Sequence, residues 1–219
     1  QSFKKFKEFY DCLEINLLEI SYKFKKIQQK KISNNKVKWI NDINKIIYGP
    51  IIFLGNEFFD SLPIKQFYKK NELLFEKNIT LLKNKKELGF VLKKANKKLV
   101  EQMFNLSDFS SGSIIEFPIG AIKYLNKIMK KINQFDGGIL AFDYGYMKKS
   151  NQNTLQSIKE HKYNNVLLNI GRSDITSHVN FKLFSEILNK NELEVKKIVN
   201  QNEFLQKMGI INRANILSK

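Results

Sequence analysis

The sequence predicts an α/β protein made of βαβ units and interrupted by an antiparallel β-hairpin. Three observations carry this reading. Short apolar runs at Leu13–Ile20, Val37–Ile40, Ile51–Leu54 and Gly137–Phe142 alternate with stretches whose apolar residues fall at helical spacing. Two further β-like runs, Leu73–Leu82 and Leu88–Leu92, are joined only by the polar Lys83–Glu87. Two of the apolar runs, finally, end abruptly in polar residues, where a strand leaves its sheet.

Taken in order, Leu13–Ile20 reads as a strand that stops at Glu19-Ile20-Ser21. Ser21 is then the expected N-cap of a helix carrying Tyr22, Phe24 and Ile27, with Lys30 and Lys31 at the negative end of its dipole. Val37–Ile40, with Trp39, is a second short strand. Ile51–Leu54 is a third, apolar throughout as strands covered on both faces are. After Pro63 the pattern changes, and the hairpin and a helix are expected to form an insertion over 64–113, splitting a core of 1–63 and 114–219. Pro118 suits the first position of a helix with Ile119, Ile122, Leu125, Met129 and Ile132 along one face. That helix leads into Gly137–Phe142. Downstream, Val179–Leu188 reads as a helix, Leu193–Val199 as a strand, and Glu203–Met208 as a short helix ended by Gly209.

Composition excludes several classes of protein. At 219 residues with 42% hydrophobic side chains, the chain can bury a sizeable core and is not generally disordered. A single cysteine, Cys12, cannot form an internal disulfide, which fits a reducing compartment. The longest nearly unbroken apolar stretch, Ile46–Gly55, is too short to cross a bilayer. A formal charge of +17 invites a nucleic-acid partner. Against that, only Arg172 and Arg213 are arginine, and the lysines are spread along the whole chain as solvated faces are.

The most informative stretch is Gly55-Asn56-Glu57-Phe58-Phe59-Asp60-Ser61-Leu62-Pro63, entered from Ile51–Leu54. In open α/β sheets ligands sit outside the carboxyl ends of the strands, so an amide and two carboxylates at such an exit are candidates for chemistry. A carboxylate accepts the planar N–H donors of a guanidinium bidentately, so Glu57 suits an arginine substrate. Asp143-Tyr144 forms a second polar tip. Glu19 occupies the strand end where nucleotide-binding α/β proteins place an acid for two ribose hydroxyls. Asp174, followed by Thr176 and Ser177, is a helix-start signal, and His178 is a candidate general base or substrate contact. Neither His161 nor His178 has partners at zinc-like spacing. No G-x-G occurs, so no glycine-rich phosphate loop is present among these residues.

Leu18-Glu19-Ile20-Ser21, Trp39, Gly55–Phe67, Phe142–Gly145, Thr154-Leu155-Gln156, Gly171 followed by Asp174–Phe181, and Gln201–Ile210 occur here in this order. In this the chain resembles the MidA family of S-adenosylmethionine-dependent methyltransferases, over about Glu14 to Ile211. Its most specific parts are Asn56–Pro63 and Asp174–Phe181. The resemblance implies a Rossmann-like class I methyltransferase sheet with an insertion. It also implies S-adenosylmethionine as cofactor, and transfer to an arginine of a respiratory complex I subunit. Carried over, Glu19 with Ser21 falls where the family binds the cofactor ribose. Asn56 and Glu57 fall in the loop beside the methyl group, with Asp60 close by. Asp143 and Tyr144 fall at the tip of the following strand, and Asp174 and His178 near the substrate cleft.

Two departures matter. Family members carry an acidic, glycine-rich loop before the Glu-Ile-Ser motif and a further strand after the terminal Gly-Ile motif, and both are missing here. With its start at Gln1 rather than methionine, the chain is therefore expected to be an interior fragment, truncated at both ends and inactive alone. A bacterial cytoplasm is the expected location, with a mitochondrial matrix as the alternative. Two other functions fit some of the same residues: a non-catalytic assembly factor holding a basic client segment, and a nucleic-acid methyltransferase. The second lacks the Pro-Pro-aromatic loop that stacks a flipped base.

Overall fold

The fold is given by a computed structural model that describes residues 6–83, 87–102, 104–148 and 153–218, apart from the side chain of Leu99. The chain divides into two compact units, Gln1–Ile51 with Lys130–Gly137, and Ile52–Met129 with Gly138–Lys219.

The first unit opens with α1 (Lys7–Cys12), β1 (Ile15–Leu18), α2 (Tyr22–Lys31) and β2 (Val37–Ile40). β1 and β2 pair in parallel, Ile15 against Val37 and Leu17 against Trp39, so α2 is the crossover of a βαβ unit. Ser21 caps α2 as expected, its hydroxyl accepting the Phe24 N–H at 3.3 Å.

The second unit contains most of the remaining elements. β3 (Ile51–Asn56) is followed by β4 (Lys65–Lys70), β5 (Leu73–Leu81), β6 (Leu88–Lys94), the short α3 (Lys97–Glu101) and β7 (Ile114–Phe117). β5 and β6 form the expected hairpin, with residues 84–86 of its connector outside the described residues. β4 and β7 join it in one antiparallel sheet of order β6-β5-β4-β7. α4 (Ile119–Phe135) begins one residue after Pro118, whose carbonyl accepts the Ile122 N–H at 2.9 Å. Of the expected face, Ile122, Leu125, Met129 and Ile132 are buried, joined by Ala121 and Ile128, while Ile119 in the first turn is exposed.

β8 (Gly137–Phe142) pairs with β3. Ile51 donates to the Asp136 carbonyl at 3.0 Å and Glu57 to the Phe142 carbonyl at 2.8 Å, an equal advance along both strands, so the pair is parallel and both strands end at the same edge. Next come β9 (Gly145–Tyr146), β10 (Gln156–Lys159), β11 (Lys162–Asn164), β12 (Asp174–Thr176) and β13 (Val179–Asn180). β9 lies parallel to β13 so closely that a Cβ on Gly145 would stand 2.4 Å from the Val179 carbonyl oxygen. The chain ends in α5 (Phe181–Lys190), α6 (Gln201–Lys207) and α7 (Ile210–Leu217), the last two separated by Gly209 at φ 80°.

Four expectations need correction. Leu193–Val199 forms no strand, because its apolar residues find no neighbouring strand to bond. Asp174 caps no helix: it opens β12, paired antiparallel with β10. The helix starts at Phe181 under the side chain of Asn180, which accepts the Leu183 N–H at 3.0 Å. β3 is not covered on both faces, since Ile52 and Leu54 are exposed. His161 with Glu160 makes the two-residue turn between β10 and β11, both at positive φ as a tight hairpin requires.

Candidate active site

β3 and β8 deliver their polar tips side by side. Glu57, the first residue beyond β3, has its N–H bonded to Phe142 and a φ of 49°. For a side chain that is neither glycine nor asparagine this left-handed backbone is strained, and such strain concentrates at functional sites. Asn56 is exposed at the last position of β3. The chain then turns, with Ser61 Oγ donating to the Phe58 carbonyl at 2.9 Å. The turn is nailed into the core by Phe59, whose ring meets Phe58 and Phe184 edge-on, each at 5.1 Å between centroids.

That turn wraps the tip of β8. Asp143 Oδ2 accepts the Phe59 N–H at 3.1 Å and Oδ1 the Asp60 N–H at 3.4 Å. Asp60 is 3% exposed, its carboxyl faces that of Asp143, and its Oδ1 has no hydrogen-bond partner among the described residues. Tyr144 leans the other way, donating its hydroxyl to Glu57 Oε1 at 3.3 Å. Three acids and one phenol thus meet within a single turn of each strand tip.

Their charges are coupled. Burial pushes the Asp60 carboxyl upward, with the Glu57 charge as the next cause. Burial likewise raises Asp143 from 3.8 to about 6, opposed by the Phe59 N–H and assisted by the Asp60 charge. The negative charge of Glu57 raises Tyr144. Since the folded Asp143 keeps a proton that the unfolded chain gives up above pH 3.8, its contribution to stability is complete below that pH and is lost as pH rises through about 6. Asp60→Asn should move Asp143 downward but not to its ordinary value, because burial, the larger cause, remains. Carboxyl 13C titration checks this, and an Asp143 midpoint unmoved by the substitution would refute the coupling.

His178 is held at the same place by its neighbours: Ser177 N–H donates to the Asp60 carbonyl at 2.9 Å and Val179 N–H to the Tyr144 carbonyl at 2.7 Å. Its imidazole is exposed. Asp174 is exposed on β12 opposite Ile158, and no hydrogen bond joins it to the strand-tip acids. The structure therefore brings together Glu57, Asp60, Asp143, Tyr144 and the His178 backbone, with Asn56 alongside, but not Asp174.

In the first unit, Glu19 lies just beyond β1. Its Oε1 accepts the Ser21 N–H at 2.7 Å and its Oε2 the Gln28 amide at 3.0 Å, while Gln28 in turn accepts the Trp39 indole N–H at 2.9 Å. One donor per oxygen fixes the carboxylate yet leaves each oxygen a further lone pair for a hydroxyl. Ser21 contributes its backbone and the helix cap. Sequence reasoning gave no role to Glu116, Gln66 or Thr154, which form a polar cluster in which Gln66 and Thr154 are buried and Glu116 is half-buried. The available signal was an acid inside the apolar string Ile114-Ile115-Glu116-Phe117.

Among the described residues no group of three or more His, Cys, Asp or Glu side chains is arranged to hold a metal ion, and no helix is long and apolar enough to cross a membrane.

Comparison with known proteins agrees with this architecture. The mitochondrial protein arginine methyltransferase NDUFAF7 homolog of Caenorhabditis elegans is 31% identical over 179 residues, covering 81% of this chain and 42% of that protein. The Xenopus tropicalis protein arginine methyltransferase NDUFAF7 is 27% identical over 231 residues, covering 94% of this chain and 52% of that protein. The chain thus spans about half the length of these relatives. A crystal structure from Burkholderia thailandensis, bound to S-adenosyl-homocysteine, superposes with a TM-score of 0.74 at 18% identity, covering 91% of this chain and 54% of that one. That likeness shows that the two chains share a fold. Residues 1–199 match the family described as "Putative S-adenosyl-L-methionine-dependent methyltransferase", and the chain belongs to that family.

Proposed function

We propose that the whole gene product containing these residues transfers a methyl group from S-adenosylmethionine to an arginine nitrogen of a protein. The observation that carries this is the meeting of Glu57, Asp60, Asp143 and Tyr144 where β3 and β8 end, in a member of a methyltransferase family. A guanidinium is the cation whose planar donors match such carboxylates, and its arrival favours their ionised forms.

Glu19 fits the ribose of the cofactor, having two oriented oxygens with capacity to spare. When bound, the cofactor supplies an electrophilic methyl group on a sulfonium. The residues of this chain do the rest. Glu57, braced by the Tyr144 hydroxyl, accepts two guanidinium N–H groups and so points a nitrogen at the methyl carbon. Transfer to that nitrogen would leave it with a proton to lose. Glu57, exposed and beside it, is the acceptor. Asp143 and Asp60 hold the turn carrying Glu57 and add negative potential where the guanidinium charge must stay.

Following the resemblance and the mitochondrial relatives, the acceptor protein is taken to be a complex I subunit, and the compartment a mitochondrial matrix or a bacterial cytoplasm. Asp174 is left to a contact with the rest of the substrate, since it does not reach the acids. Titration calorimetry of S-adenosylmethionine into the whole gene product tests the cofactor. Saturable heat at one site is expected, and no heat at millimolar ligand would overturn the proposal.

A further inference from the structure

Three consecutive residues ahead of α5 are tied to three different parts of the second unit. Ser177 is bonded to Asp60 and Val179 to Tyr144, so the outer ties end on the candidate site itself. The middle one does not: the His178 N–H donates to Thr154 Oγ1 at 3.0 Å. The direction of that hydroxyl is decided elsewhere.

Glu116 sits in β7 between buried Ile115 and Phe117 and so points to the opposite face of the sheet, directly across from Gln66 on β4. Its Oε1 accepts from the Thr154 N–H at 3.0 Å, the Leu155 N–H at 3.2 Å and the Gln66 amide at 2.8 Å. Its Oε2 accepts the Thr154 hydroxyl. A threonine hydroxyl has one proton, and here it goes to Glu116, so the oxygen can only accept from His178. Lys77 donates to Gln66 Oε1 at 3.2 Å and completes the cluster with a positive charge.

A cluster that served only stability would not need a carboxylate, because apolar residues of similar volume often do as well or better. What this carboxylate supplies is direction. It clamps two successive backbone N–H groups and one hydroxyl of the 154–155 segment, and passes that orientation to a residue lodged between the two strand tips.

We infer that Glu116 is a positioning residue that acts through Thr154 to hold His178 between the tips of β3 and β8. Its effect on the reaction rests on the reading of those tips as the methyl-acceptor site; the mechanical link does not. Thr154→Val keeps the side-chain shape and deletes the hydroxyl, Thr154→Ser restores the hydroxyl, and Glu116→Gln exchanges one acceptor oxygen for a donor facing donors.

The test is amide hydrogen exchange of the 177–179 segment in the whole gene product, alongside steady-state methyl transfer. Thr154→Val and Glu116→Gln should speed exchange there by about tenfold or more, while Thr154→Ser stays near wild type. In the same two variants kcat should fall about tenfold with KM for the cofactor little changed, and Thr154→Ser should rescue it. Wild-type exchange at 177–179 in a folded Thr154→Val protein would overturn the inference, and so would faster exchange with unchanged kcat. If wild type transfers no methyl group, the methyltransferase reading fails by itself, and the exchange difference still upholds the link from Glu116 to His178.

Discussion

Glu57→Gln should lower arginine methylation by roughly 100-fold or more, the usual cost of removing one oriented charge-stabilising group. The substitution isolates charge. The amide has nearly the carboxylate's shape and can still accept the Tyr144 hydroxyl, which lies 3.3 Å from Glu57 Oε1 in the native site. What it loses is bidentate pairing with the guanidinium and the capacity to take its proton. Because Glu57 is exposed, stability should change by no more than about 0.5 kcal/mol, so the loss cannot be assigned to unfolding. Single-turnover transfer measured on a peptide that wild type methylates decides the matter. A drop of less than about twofold would remove Glu57 from the reaction.

Phe59→Ala should be the most damaging change to the fold near the site, costing about 3–5 kcal/mol. Phe59 is 3% exposed and has lost the rotational freedom of a ring wedged between Phe58 and Phe184. Truncation leaves a hole bounded by two aromatic edges that cannot close it. The same residue donates its N–H to Asp143 Oδ2, so a loosened turn also loosens the clamp on that carboxylate. Thermal unfolding should show a midpoint lowered on the order of 10 °C. At temperatures where the variant is still folded, Asp143 should titrate nearer its ordinary value because water reaches it. A midpoint within about 2 °C of wild type would mean that the turn is not held by this ring.

Local chemistry made part of this structure readable from the sequence. Ser21 caps α2 because the side chain that makes the cap is next to the helix it starts. The β5–β6 hairpin and most of the buried face of α4 followed from spacing, though Ile119 in its first turn is exposed. The same logic failed where a partner lay far along the chain. Asp174-Ile175-Thr176 has the residues of a helix start, yet its β-branched pair is taken up by β10, and Asn180 caps the helix instead. Leu193–Val199 has the apolar, β-branched residues of a strand, but these have no force without a neighbour.

The site divides in the same way. That Glu57 and Asp143 close two strands was legible, because each sits at the end of its own apolar run. That Asp143 receives the N–H groups of Phe59 and Asp60 was not, since those residues are more than 80 positions away in sequence. Glu116 was hidden for a similar reason: its partners at 66 and 154 come from either side of the chain.

Mass spectrometry of an arginine-bearing protein substrate, incubated with the whole gene product and S-adenosylmethionine, tests the central claim most directly. The account requires mass gain of whole methyl units localised to an arginine side chain, dependent on the cofactor and abolished by Glu57→Gln. Methyl groups found on lysine or on nucleic acid, or none on any arginine although the protein binds S-adenosylmethionine, would contradict it.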